Sequence, residues 1–228
     1  MKAARKSSFT IPARAVTAIK VVVFLVLLAP AGQLMWQAWQ TYRGIGDGLG
    51  VNPVEAVTHR TGDLTLYCLL ATLAVTPLRR ILGQAWLIKL RRMIGLFAFF
   101  YGSLHFATYF CDQIFMQDEG LNLKAVVKDI VKRPYITVGT LAYLLMVPLA
   151  ITSTTAMIRR LGRRWQTLHR LVYATALLGV LHWTWLVKAD LRRPLAFGFL
   201  LFVLLGVRAF IGLRKRKAGQ AAPVAGSG

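Results

Sequence analysis

Residues 171–187 read LVYATALLGVLHWTWLV, an apolar run of helical length with one imidazole, His182, toward its far end. An unpartnered polar group buried in hydrocarbon costs about 2–7 kcal/mol, so a ring in this position needs something to bind it. The pattern has an echo. Residues 102–105 read GSLH and residues 179–182 read GVLH, each a glycine followed three residues later by a histidine in an apolar segment. Read from sequence, the likeness between the two regions extends no further than this G-x-L-H.

The rest of the chain sets that run in a membrane. Of 228 residues 56% are hydrophobic, while 29 Lys+Arg against 8 Asp+Glu leave a net charge of +21. A soluble nucleic-acid binder can share such a charge but not the long uncharged stretches, so nucleic acid is not an expected partner. Cys68 and Cys111 are too few for a disulfide scaffold or a cysteine-ligated cluster, and both read as small apolar fillers.

A bilayer core takes about 20 residues of apolar helix. Six segments qualify, at roughly 17–38, 62–78, 93–111, 135–153, 169–187 and 195–213. The second is short and opens just after Asp63. The first continues past a signal-like core through Gln33 to Trp39, so it reads as a retained anchor and not as a cleaved leader. Basic residues crowd TPLRRILGQAWLIKLRR, MIRRLGRRWQTLHR and the tail LRKRK. With the N-terminus inside, about 20 of the 29 Lys+Arg lie on the inner side and all eight acids in the outer loops. The expected fold is therefore an all-α integral membrane protein, a six-transmembrane-helix bundle with both termini inside. Residues 1–16 are a basic cytoplasmic N-terminus, 17–213 the helical domain and 214–228 a disordered basic tail. In the outer loop 112–134, Leu123, Val126, Val127, Ile130 and Val131 recur at helical spacing, which predicts a short helix lying on the lipid surface. Trp36, Trp39, Trp183, Trp185 and Tyr135 fall where an aromatic belt would lie.

Of the four histidines, His59 sits in an expected outer loop and reads as solvated. His105 is twelve residues into the third span and His182 thirteen into the fifth, so both stand roughly 18–20 Å above the inner edge. Two imidazoles at one depth on two helices suit axial ligation of a haem iron from opposite faces. Gly102 and Gly179 share the faces of their histidines. They either let a flat macrocycle approach the backbone or pack helices together. His169, at the inner edge, could serve a second haem, a propionate, a flavin phosphate or the interface alone. On a straight helix it stands about 140° from His182 in azimuth. Fourteen residues before His105 lies Arg91, always charged, suited to a haem propionate or to anchoring the inner edge.

The stretches HRTGDLTLYCLLATLAVTPLRR, LRRMIGLFAFFYGSLHFATY, KRPYITVG, TSTTAMIRRLGRRWQTLHRLVY and LHWTWLVK together resemble a known family. It is that of the haem-binding membrane subunits of bacterial periplasmic protein-methionine-sulfoxide reductases, in the ferric-reductase-like transmembrane group. The resemblance runs from about residue 50 to 210. It implies a multi-pass cytochrome b of the bacterial inner membrane, carrying haem b, one or two per chain. It also implies a partner, the periplasmic molybdenum-containing catalytic subunit that repairs oxidised methionines. Electrons would come from the quinone pool. The family's histidines carry over to His105, His169 and His182 and its arginine to Arg91; FMN is implied by the resemblance alone. A C-terminal flavin–nicotinamide domain is not expected, and no catalytic centre of the chain's own. The alternative is a transporter or proton-relay protein that uses its intramembrane histidines without haem.

Overall fold

The computed structural model of the chain describes residues 12–46, 48–115, 123–187 and 189–220. Among these residues all regular structure is helical: α1 (Ala13–Tyr42), α2 (Pro53–Ile81), α3 (Ile88–Phe115), α4 (Leu123–Lys132), α5 (Pro134–Ile151), α6 (Thr155–Leu161), α7 (Arg163–Leu168), α8 (Leu171–Leu186) and α9 (Arg192–Gln220). The expected surface helix is α4, and Val127 and Val131 on it are exposed.

Local chemistry sets the helix ends. Asn52 Oδ1 accepts the Glu55 backbone N–H and Asn52 Nδ2 donates to the Glu55 carboxylate, while Pro53 occupies the first helical position. This cap starts α2 nine residues ahead of the expected second span. Its first three turns are polar, so hydropathy alone placed the boundary too late. His59 and Asp63 consequently lie on a helix and not in a loop, and His59 faces Glu55 at 3.8 Å. The basic connection after α5 forms two short helices, α6 and α7, broken at Gly162, whose φ of 50° suits glycine. The expected tail boundary at 213 falls inside α9, which runs to Gln220.

Five helical segments are long and apolar enough to cross a bilayer: those of α1, α2, α3 with the turn before it, α5 and α9. The fifth expected span corresponds to α8, whose 16 residues reach only about 24 Å against a core of about 30 Å. The chain is a multi-pass membrane protein. Its closest-packed pairs are α2 with α3 and α5 with α8; α3 also packs on α5, and α9 lies against α8 and α2. In α2, 44% of the apolar window is buried inside the protein, against 6% in α1 and in α9. Those two outer helices therefore turn most of their apolar surface to lipid.

Core packing is tightest where α2, α3 and α8 meet. Leu73, Ala98, Tyr101 and Ala176 are wholly buried. The buried hydroxyls of Thr61 and Thr175 bond back to the carbonyls of Val57 and Leu171 at 2.7 and 3.0 Å, so each is satisfied without leaving its helix. Cys68 is buried as expected, but Cys111 is exposed and fills no core space.

Pro77 lacks an N–H, so the carbonyl of Leu73 loses its helical donor. Arg208 of α9 supplies the missing bonds. Its Nε and Nη2 donate to that carbonyl at 3.1 and 2.7 Å, with further bonds to Thr76 Oγ1 at 2.9 Å and to the Tyr173 hydroxyl at 2.9 Å. One guanidinium thus joins α9, α2 and α8 at a backbone defect.

Candidate functional site

A largely apolar cavity of about 480 Å³ lies between the two close-packed pairs, within the size range of cofactor sites. His105 from α3 and His182 from α8 both line it. Their ring centres are 6.0 Å apart, with the planes at 78°. The expected pairing of these two residues is therefore present in space.

Each ring is held by the same device. His105 Nδ1 lies 2.8 Å from the Thr58 carbonyl, and His182 Nδ1 lies 2.6 Å from the Tyr135 carbonyl. A carbonyl only accepts, so in each ring Nδ1 carries the proton and donates. That leaves Nε2 with its lone pair, the state in which imidazole binds metal. Metal-ligating histidines almost always donate their other nitrogen in this way.

Each ring can reach its carbonyl because a glycine opens the way. A Cβ on Gly62 would stand 3.1 Å from the His105 ring, and one on Gly139 would stand 2.6 Å from His182 Nδ1. In both cases the glycine follows the accepting carbonyl by one helical turn, so the ring lies in the notch left by the missing side chain. The expected glycines are placed differently. Gly102 and Gly179 line the cavity, but a Cβ on Gly102 would meet Met146 and Thr65, and one on Gly179 would meet Leu66. Both glycines therefore face neighbouring helices as well as the cavity.

The separation of residues in the notches is constant. Thr58 to Tyr135, Gly62 to Gly139, Gly102 to Gly179 and His105 to His182 are each 77 residues. Cavity-lining neighbours keep the same spacing, as with Leu69 and Met146 or Phe106 and Trp183. The cavity is thus built from a repeated helix pair, α2–α3 and α5–α8. The expectation that the likeness stops at G-x-L-H is corrected. Only a few repeated positions keep their residue type, so the register shows once the walls are seen together. Gly62 and Gly139 were missed in the sequence, though both lie in the quoted stretches HRTGD and KRPYITVG. Trp183 and Tyr135, read as belt residues, are part of the cavity wall.

His169 and Arg91 do not line this cavity. His169 Nε2 stands 3.0 Å from Thr152 Oγ1, whose own proton goes to the Pro148 carbonyl at 2.6 Å. The hydroxyl must therefore accept, and Nε2 is the protonated donor. The ring stacks on Trp165 with centres 3.9 Å apart, and Trp165 Nε1 donates to the Thr152 carbonyl at 2.9 Å. Arg91 is near Arg208 and Tyr173, at the basic end of the bundle. Arg133 is the one Lys or Arg in the described cavity wall; it bonds Asp129 at 2.6 Å and the Tyr135 hydroxyl at 3.2 Å.

The fold and the paired rings define a class, a helical membrane protein with two imidazoles side by side in the wall of an internal cavity. The family described as ferric reductase like transmembrane component matches residues 61–180. A relative in Herminiimonas arsenicoxydans, the protein-methionine-sulfoxide reductase heme-binding subunit MsrQ, is 49% identical over 208 residues, covering 90% of each chain. The subunit of the same name in Bordetella pertussis strain Tohama I is 48% identical over 210 residues, covering 91% of this chain and 97% of that one. The chain belongs to the MsrQ family of ferric-reductase-like membrane proteins.

Proposed function

We propose that the protein is a haem-binding electron-transfer subunit of a methionine-sulfoxide reductase system, and that His105 and His182 are the residues that would hold one haem. The supporting observation is the pair of rings 6.0 Å apart, each with Nδ1 tied to a backbone carbonyl. Metal–imidazole bonds of about 2 Å on both sides place ring centres roughly 6.2 Å apart. Edge-to-face ring contact alone also gives such a separation; the two carbonyl bonds and the cavity around the rings favour ligation. Haem, when bound, supplies one-electron exchange at a potential set by axial ligands and burial.

The chain's own residues do the positioning. Thr58 and Tyr135 fix ring orientation and tautomer, Gly62 and Gly139 admit the rings, and the apolar walls keep water from the metal position. Arg133, paired with Asp129, is the one Lys or Arg of the described cavity wall that would face a propionate. Arg91 and His169 act at the inner end, His169 as a structural donor to Thr152. In this reading all six segments cross the bacterial inner membrane, α8 included, with both termini inside. Haem is of the b type. Electrons come from quinol and leave on the outer side to a periplasmic, molybdenum-containing catalytic subunit; FMN, implied by resemblance, is assigned no residue. The names of the relatives, heme-binding subunits, do not favour the proton-relay alternative.

The test is an absorption spectrum of the purified chain with pyridine-haemochrome stoichiometry. One b-type haem per chain, reducible by a quinol analogue in membranes, is expected. A protein purified from haem-replete cells without a Soret band would sink the proposal.

A further inference from the structure

A second cavity, about 520 Å³ in volume, opens between α1 and α3 at the basic end of the bundle, away from the histidine pair. Each helix contributes one stripe. On α1, Lys20, Phe24 and Leu28 follow one another at four-residue spacing; on α3, Lys89 and Arg92 lead to Leu96 and Phe100. Spacings of three and four residues keep each set on one helix face. Both helices run in the same direction, so their cations gather at one mouth and the apolar residues descend about 12–16 Å from it. Phe24 and Phe97 meet edge to face at 5.2 Å between the helices.

No carboxylate lines this groove. The described ion pair of Arg133 with Asp129 lies elsewhere. Among the described residues Arg92 makes one hydrogen bond, to Thr155 Oγ1 at 3.3 Å. Basic residues at helix ends are common as topology signals. Here three of them, from two helices far apart in sequence, converge over a single apolar channel.

We propose that this groove binds one anionic phospholipid of the surrounding bilayer, its phosphate between Lys20, Lys89 and Arg92 and an acyl chain along Phe24, Leu28 and Phe100. Basic pockets between membrane helices select anionic headgroups, and a zwitterionic lipid would bring its own cation to the same mouth. The bound lipid would fill the groove that α1 and α3 leave open beside the Phe24–Phe97 contact.

The test is native mass spectrometry of the full chain in detergent, titrated with phosphatidylglycerol or phosphatidylcholine of matched acyl chains. The expected result is one phosphatidylglycerol retained per chain and phosphatidylcholine lost readily. Each removed cation weakens retention about fivefold. The Lys20→Gln/Lys89→Gln/Arg92→Gln variant should therefore fall roughly a hundredfold, with an unchanged far-UV dichroism spectrum. Lys89→Gln alone, at an exposed position, gives the single step if the triple variant does not fold. Equal retention of the two lipids, or undiminished phosphatidylglycerol binding by the variants, overturns the proposal. So does displacement of the lipid by a neutral quinone analogue that binds wild type and variants alike.

Discussion

The paired histidines and His169 use the same side chain in opposite ways. At His105 and His182, Nδ1 donates to a helix carbonyl, and Nε2 is left as the free lone pair beside a cavity. At His169, Nε2 is the donor, to Thr152, and the ring lies flat on Trp165. The first arrangement presents a metal-binding nitrogen to open space. The second spends that nitrogen on joining α5 to the start of α8. An imidazole inside a membrane is thus no signature of a cofactor by itself; which nitrogen is engaged, and what the other faces, separates the two roles.

The contrast can be attacked most directly at the ligands. His105→Ala and His182→Ala should each abolish the haem spectrum in purified membranes, measured as pyridine haemochrome per chain. Full haem in both variants would remove the distinction between the regions. Gly139→Ala comes next, because its Cβ would stand 2.6 Å from His182 Nδ1. It should push the ring off the Tyr135 carbonyl and eliminate most of the haem. Gly62→Ala, with its closest approach at 3.1 Å, should retain haem with a shifted Soret maximum. A reversed order of the two glycine variants would show that the notches do not set ring position.

Smaller effects are expected at the basic end of the bundle. Arg208→Leu leaves the Leu73 carbonyl without its donors and should destabilise the bundle by about 1–3 kcal/mol in detergent unfolding. Haem per chain should be unchanged. His169→Ala should reduce stability by about 1 kcal/mol and leave the spectrum and stoichiometry as in wild type. If haem per chain falls by half instead, the inner cluster is a ligand site and the contrast drawn here fails.

Much of this was legible in the chain. The long uncharged runs and the basic excess specify a helical membrane protein, because a bilayer accepts only backbones that satisfy their own hydrogen bonds. The matched depth of His105 and His182 follows from helical rise alone. The start of α2 was not legible from hydropathy, since its polar turns extend past the apolar segment and the Asn52–Pro53 cap decides the boundary. Nor was the role of Gly62 and Gly139, which lie on the facing helices and reveal nothing until those helices pack.

The amino-acid order by itself therefore determined the class of protein, the level at which two imidazoles sit and the end of the bundle where charge gathers. Those properties depend on local composition and on rise per residue. Tertiary structure alone decided which histidine presents its Nε2 to a cavity, which glycines make room for the rings, and which carbonyl Arg208 must serve. Each of these is a contact between residues from different helices, and no single segment contains both partners.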